Sequence, residues 1–140
     1  MGTVVRALIL ALAPLLAAAQ EPLSAADARA VREVIEGQLD AFRNDDAPRA
    51  FSYASAGIRE AFGTPELFLE MVRTSYAVVY RAQSVQFDAP VVVEGDVLQP
   101  VRMTDAEGRA WLALYPMQRQ PDGTWRIDGC RLARLAGQET

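Results

Sequence analysis

Apolar residues recur at spacings of three and four near the start of the chain and predict an amphipathic helix over Ala25–Arg43. Ser24 stands at the N-cap position, and Asp27 three residues later matches the acid of a capping box. Polar residues occupy the opposite face, so one side of this helix is predicted to be buried. The apolar stripe consists of Ala28, Val31, Ile35, Leu39 and Phe42.

Shorter helices are predicted to follow the first one. Pro48 lies just inside the start of the second helix, where its missing N–H costs nothing. One more helical turn is expected before Gly63, which can end it in a left-handed conformation. Thr64 and Pro65 open the next helix. The first two helices are predicted to pack as a hairpin.

The hydrophobic period changes from 3.6 to 2 from Tyr76 onward, and β-branched residues become frequent. Three turn signals that contain glycine divide this part of the chain into an antiparallel meander. Pro90, Pro100 and Pro116 cannot donate ladder hydrogen bonds, so they predict edges, bulges or bends in a curved sheet. The predicted strands are 84–93, 97–104, 109–119 and 124–135.

Alternation along these strands predicts two different sheet faces. A mainly apolar face is expected to pack on the helices, and a mixed face is expected to meet solvent, a partner or a ligand. A bulge at Pro100 or Pro116 would exchange the faces locally. The apolar set is Val97, Val101, Met103, Leu112, Leu114, Trp125 and Ile127. The mixed set is Leu98, Arg102, Trp111, Tyr115, Met117, Arg126, Asp128 and Cys130.

Helices first and strands afterwards predict an α+β domain, with three to four N-terminal helices packed on one face of a curved antiparallel sheet. The 140 residues are enough for one domain. Residues 1–19 have a basic start, an apolar stretch and three small residues that end at Ala19, which is the form of a secretory signal peptide. We expect cleavage near Ala19, a single domain over 20–140, and a periplasmic or secreted location. An uncleaved anchor is the alternative, although the apolar stretch is shorter than the roughly 20 residues of a spanning helix.

Composition excludes several chemistries. The chain has no His, and its 14 basic residues are all Arg, so imidazole-based triads and lysine Schiff bases cannot form within it. One Cys builds neither an internal disulfide nor a thiolate zinc site. The net charge of -4 and the absence of a basic stripe argue against nucleic acid as a partner. We expect no cofactor and no metal.

Three segments resemble a known family when their order and spacing are taken together. They are IREAFGTPELFL at 58–69, VYR at 79–81 and WRIDGC at 125–130. They resemble domain of unknown function 4864, a family of small bacterial proteins that are often exported. The order of elements resembles the wider nuclear transport factor 2-like superfamily. That resemblance implies a cone-shaped fold with a pocket between helices and sheet, but it implies no activity. Dehydratases of the superfamily rely on His, which this chain lacks.

We therefore expect a non-catalytic module that binds a small apolar ligand or serves as an accessory to an envelope protein. The candidate ligand-binding residues are Tyr76, Tyr80, Arg102, Trp111 and Tyr115. Other aromatic residues can fill the core or line a cavity. These are Phe42, Phe51, Tyr53, Phe62 and Phe68.

Two alternatives remain open. A small isomerase or hydrolase would use Asp128 as a buried general base, with Tyr115 or Tyr80 donating to a developing oxyanion. A structural homodimer or protein-interaction module would bury the mixed sheet face against a copy or a partner. Cys130 is predicted to be a small buried hydrophobe, with a reactive thiol or an intermolecular disulfide as its alternatives.

Overall fold

The computed structural model describes Gly2 and residues 22–136, so the predicted signal segment lies outside the described residues except for Gly2. In this described part five helices precede six strands. No helix within it has both the length and the apolar character needed to cross a membrane. The helices are α1 Ala25–Arg43, α2 Ala47–Ser52, α3 Ala56–Phe62, α4 Pro65–Ser75 and α5 Ala77–Tyr80. The strands are β1 Ser84–Phe87, β2 Val91–Val93, β3 Asp96–Thr104, β4 Ala110–Arg119, β5 Trp125–Ile127 and β6 Arg131–Arg134.

Side-chain caps set the starts of the first four helices. The prediction for α1 is confirmed over its whole length, and the Ser24 hydroxyl accepts a hydrogen bond from the backbone N–H of Asp27 at 3.1 Å. Asp46, Ser55 and Thr64 cap the next three helices in the same way. Gly63 ends α3 with φ of 79°, as predicted.

The short helix α5 was not predicted, because extended structure was expected from Tyr76 onward. Two adjacent valines, Val78 and Val79, favour a strand on propensity alone. Both side chains are buried in the core, where α5 contacts α1 and β3. Tertiary packing therefore overrides the local preference over these four residues.

The sheet is built on the long antiparallel pair of β3 and β4, in which Val101 lies opposite Ala113. Strands β1 and β2 share the outer edge of β3, and β5 and β6 share the outer edge of β4. The predicted single strands over 84–93 and 124–135 were wrong, because each is divided into two.

Each division lies opposite a proline in the central pair. The gap between β1 and β2 faces Pro100, and the gap between β6 and β5 faces Pro116. Neither proline has an N–H to donate to an edge strand, so the outer ladders are interrupted at these points. The Gln99 side chain partly replaces the missing donor by giving a 2.7 Å hydrogen bond to the carbonyl of Asp88. The sheet is strongly curled, in agreement with the predicted bends.

The predicted assignment of faces was wrong on β4. Tyr115 and Met117 point to the buried side, while Leu112 and Leu114 are only partly buried on the other side. Apolar residues occupy both faces of this strand, so alternation could not determine its phase. Pairing with β3 determines it, since Tyr115 lies opposite the buried Gln99.

The helices pack on the curled sheet, which confirms the predicted α+β class. Large buried side chains fill the core between the helices and the sheet, among them Ile35, Phe42, Met103 and Tyr115. The two layers do not meet everywhere. A cavity remains between them.

Candidate ligand-binding cavity

A cavity of about 170 Å³, partly open to solvent, lies between the helices and the sheet. A water molecule takes up about 30 Å³ of liquid, so this space can hold an organic molecule. Its wall is almost wholly apolar. The wall is formed by Gln38, Phe42, Ala54, Ile58, Phe62, Phe68, Met71, Val72, Tyr76, Val79, Tyr115, Ile127, Gly129 and Cys130.

An aromatic cluster centred on Phe68 stabilises the helical side of the cavity wall. The Phe68 ring on α4 lies 6.1 Å from Phe42, 5.6 Å from Phe51 and 5.7 Å from Phe62, measured between ring centroids. Such tilted and edge-on contacts are favourable beyond the burial of area. The four rings come from α1, α2, α3 and α4, so all four helices are held together at one side of the cavity.

Tyr115 lines the cavity, but its hydroxyl is buried away from the cavity surface. Its side chain is 1% exposed, and its hydroxyl has no hydrogen-bond partner among the described residues. A buried hydroxyl without a partner costs about 1–3 kcal/mol. Burial raises the pKa of Tyr115 well above 10, and the neighbouring Cys130 adds to the effect. The hydroxyl is therefore neutral and holds a proton that it can donate.

Cys130 lies beside the Tyr115 hydroxyl, although the two groups do not meet hydrogen-bond geometry. Burial raises the pKa of the Cys130 thiol to about 12, and the contact with Tyr115 offsets this only in part. Gly129 has φ of 148°, and a Cβ there would lie 3.4 Å from Cγ of Pro116. The backbone turn before Cys130 therefore favours glycine, and it brings a neutral, weakly polar thiol to the cavity.

Gln38 is a second polar group of the wall, and it lies on the buried face of α1. It is 3% exposed, and its Nε2 donates a 3.1 Å hydrogen bond to the carbonyl of Ala50 on α2. That carbonyl can only accept, so the amide nitrogen must point toward it. The Oε1 atom can accept a hydrogen bond from a ligand.

The wall carries no charged side chain among the residues described. Over the same part of the chain, no three His, Cys, Asp or Glu side chains are grouped so that they could hold a metal ion. The cavity is thus a neutral, mainly apolar space, and the polar residues of its wall, Gln38, Tyr76, Tyr115 and Cys130, carry no charge. Such a surface can bind a small molecule and orient it.

The structure brings two of the five predicted ligand-binding residues to this cavity, Tyr76 and Tyr115. Tyr80 lies elsewhere, with its hydroxyl bonded to Asp45 and the guanidinium of Arg81 3.8 Å from its ring centroid. Of the other aromatic residues proposed for a core or a cavity, three line the wall and two do not. Phe42, Phe62 and Phe68 line it, whereas Phe51 and Tyr53 do not.

The remaining two predicted ligand-binding residues are held by their own partners. Arg102 makes a two-point ion pair with Asp88, at 3.0 Å and 2.8 Å, on an exposed part of the sheet. Trp111 donates its indole N–H to Asp105 at 2.9 Å, in the turn between β3 and β4. Neither side chain lines the cavity.

The structure does not assemble the predicted catalytic group of Asp128, Tyr115 and Tyr80. Asp128 is exposed and accepts a hydrogen bond from Ser55, and it lines a separate surface groove rather than the cavity that Tyr115 lines. Tyr80 is bound to Asp45. Among the described residues, no carboxylate lines the cavity.

Sequence reasoning missed Gln38 among the residues of the site. The sequence could have indicated Gln38, because this residue lies on the apolar stripe of α1 between Ile35 and Leu39. A polar side chain in the middle of a buried face needs a partner or a function. Cys130 was assigned to the mixed sheet face, whereas it lines the cavity between helices and sheet.

The protein is therefore a small α+β domain with a cone-like fold. Its helices pack on a curled antiparallel sheet, and the cavity lies between the two layers. The chain belongs to the family described as domain of unknown function 4864, whose pattern matches residues 24–140. A solved structure of Aln2 from a Streptomyces species is similar with a TM-score of 0.52, and the match covers 81% of this chain and 94% of that chain. At 17% identity this similarity shows a common fold alone. No curated protein matches the chain significantly.

Proposed function

We propose that this protein is a non-catalytic module that binds a small, largely apolar molecule in the cavity between its helices and its sheet. The observation that carries the proposal is a cavity of about 170 Å³ between the helices and the sheet with an almost wholly apolar wall. An apolar cavity of about 150 Å³ in another protein stays dry and binds benzene. One substituted ring or a short branched chain is therefore the right size.

The apolar wall supports a ligand. A molecule that fills the cavity covers apolar side chains and packs against them, which is favourable because apolar surface is removed from water. Such a molecule stabilises the folded state, because it binds the folded chain and not the unfolded one.

The alternative isomerase or hydrolase has less support from the geometry. A general base is needed beside the Tyr115 hydroxyl, and the cavity wall has no carboxylate among the described residues. The Cys130 thiol is neutral, because burial raises its pKa to about 12, so it is a poor nucleophile.

The first residues of the chain support a cellular location for ligand binding. Residues 1–19 have the three-part pattern of a secretory signal peptide, which supports export. We propose that ligand binding takes place in the periplasm or outside the cell.

Toluene is a suitable probe, since it matches the size and the apolar character of the cavity. We expect isothermal titration calorimetry to show saturable binding of one toluene per chain. Ile58→Trp is expected to lower the affinity at least about tenfold, because Ile58 is a half-buried wall residue and the larger indole takes up part of the space.

Leu67→Trp is the matched control. Leu67 is 59% exposed on α4 and does not line the cavity, so this variant is expected to bind toluene like the unmodified protein. Far-ultraviolet circular dichroism checks that both variants are folded. No saturable binding to the unmodified protein, or equal binding by a folded Ile58→Trp variant, would contradict the proposed function.

A further inference from the structure

We infer that α3 is the gate of the cavity, a helix that opens by local unwinding to admit the ligand and then closes over it. This inference rests on the proposed function and concerns how the same site is reached. Opening of α3 is measurable without a ligand, so the gate and the binding site can fail separately.

The helix α3 is tied to the core less firmly than the other described helices. Each of the other four buries at least two side chains, whereas α3 buries none. Its apolar residues Ile58 and Phe62 are half-buried and border the cavity instead of packing into the closed core. A helix of seven residues is not stable by itself, because most helical stability comes from tertiary packing. Such a segment opens more readily than the rest of the fold.

Few side-chain contacts oppose the opening of α3. The Phe62 ring makes one edge-on contact, with Phe68 at 5.7 Å between centroids, whereas Phe68 also contacts two further rings. Arg59 and Glu60 are exposed on α3, and neither makes an ion pair with another described residue. The hydrogen bond that caps α3 is 3.4 Å long. Unwinding therefore breaks one ring contact, a long cap bond and the backbone bonds of a short helix.

Both ends of α3 are attached to well-packed parts of the fold. Ser55 is fully buried, its N–H donates a 2.8 Å hydrogen bond to the carbonyl of Ile127, and its hydroxyl bonds to Asp128. At the other end Gly63 leads into α4, which buries two side chains in the core. Unwinding is thus confined to the segment between Ser55 and Gly63, which forms part of the cavity wall.

Two glycine-to-alanine variants should shift the opening in opposite directions. Gly57 lies within α3 with open space where a Cβ would stand, so Gly57→Ala favours the wound helix. Gly63 has φ of 79°, which alanine adopts only with strain, so Gly63→Ala disfavours the wound helix. Gly123→Ala is the matched control, because Gly123 has φ of 86° and open space around it in a turn outside the cavity wall. None of the three glycines lines the cavity, and thermal unfolding checks that each variant folds.

Amide hydrogen exchange of the ligand-free protein measures the opening. We expect the amides of α3, such as Arg59, to exchange at least about tenfold faster than the amide of Tyr76, which donates to Val72 at the end of α4. Exchange in α3 should be about two- to fivefold slower in Gly57→Ala and about fivefold faster or more in Gly63→Ala. It should be unchanged in Gly123→Ala.

Nuclear magnetic resonance line shapes during a toluene titration give the association and dissociation rates. A gate that closes equally with and without ligand changes both rates by one factor and leaves Kd unchanged. We therefore expect both rates to fall in Gly57→Ala and to rise in Gly63→Ala, by the factors found for exchange, with Kd constant. A residue that only shapes the wall changes Kd instead.

The outcomes separate the gate from the proposed function. Exchange in α3 as slow as at Tyr76 overturns the inference, whether or not toluene binds. If toluene binds but Gly57→Ala and Gly63→Ala keep the association rate of the unmodified protein, the ligand enters elsewhere, and the inference is overturned while the proposed function stands. A change in Kd that comes from dissociation alone overturns the inference as well. If toluene does not bind the unmodified protein, the proposed function fails and the gate fails with it.

Discussion

The hydroxyl of Ser55 donates a 2.7 Å hydrogen bond to the carboxylate of Asp128, although 73 residues separate them along the chain. The same hydroxyl accepts from the N–H of Ile58 and caps α3. Two backbone hydrogen bonds of 2.8 Å beside it join Ser55 to Ile127 and Ile127 to Tyr53. Asp128 thus anchors the start of α3 to the end of β5, which positions a corner of the cavity wall.

This anchor predicts the effect of Ser55→Ala. The variant loses a helix cap and leaves Asp128 without its buried donor, so we expect a loss of about 1–3 kcal/mol in the free energy of unfolding. Thr64→Ala is the control, since Thr64 caps α4 but is exposed and its cap bond is local. Its loss should be smaller, about 1 kcal/mol. Urea unfolding measures both, and equal losses would show that the bond to Asp128 adds nothing.

Asp105 predicts an acid-dependent loss of stability. Burial alone would raise the pKa of its carboxylate, but hydrogen bonds from Trp111 and from the backbone and guanidinium of Arg109 outweigh it and lower the pKa well below the usual range. A lowered pKa in the folded state stabilises the protein above the unfolded value of about 3.9, and this contribution is lost as the pH falls below it.

The test of this carboxylate compares unfolding free energies at pH 6 and pH 3. Asp105→Asn is expected to be less stable than the unmodified protein at pH 6 and to lose less stability on acidification. Glu107→Gln, in the same turn but with a side chain 66% exposed, should keep nearly the full acid dependence. An Asp105→Asn variant with unchanged acid dependence would count against this assignment.

Cys130 predicts slow thiol chemistry in the folded protein. Because burial raises its pKa to about 12, the reactive thiolate is scarce at pH 8. Against an unfolded thiol of pKa about 8.5, alkylation by iodoacetamide should be slower by on the order of a thousandfold. Mass spectrometry of native and urea-unfolded protein measures the two rates. Rates within about tenfold of each other would mean that the thiol is not held in a buried neutral state.

Much of the helical layer could be predicted from local signals. The bounds of α1 follow from its stripe of apolar residues and from the Ser24 cap, both of which are local. The end of α3 could likewise be predicted from Gly63, because glycine adopts the positive φ that ends many helices. The helix α5 was missed because Val78 and Val79 favour a strand until they are packed against α1 and β3.

The sheet and the site were less predictable, because they depend on pairing between strands. Because β4 has apolar residues on both faces, alternation did not indicate which face is buried. Tyr115 was therefore assigned to the wrong face, although it was chosen as a ligand-binding residue. The prolines indicated bends, but not that the neighbouring edge strands would be divided. Asp128 and Tyr115 were assigned to one sheet face, yet they line different concavities.

The proposed function requires that the cavity between helices and sheet binds a small apolar molecule. Methyl nuclear magnetic resonance of the protein during titration with toluene measures this binding and also locates the bound ring. We predict saturable shifts of the methyl groups of Ile58, Met71 and Val79, which line the cavity, and none at the exposed Leu67 and Val91. Shifts limited to Leu67 and Val91, or no saturable shift at the cavity methyl groups, would contradict the proposed function.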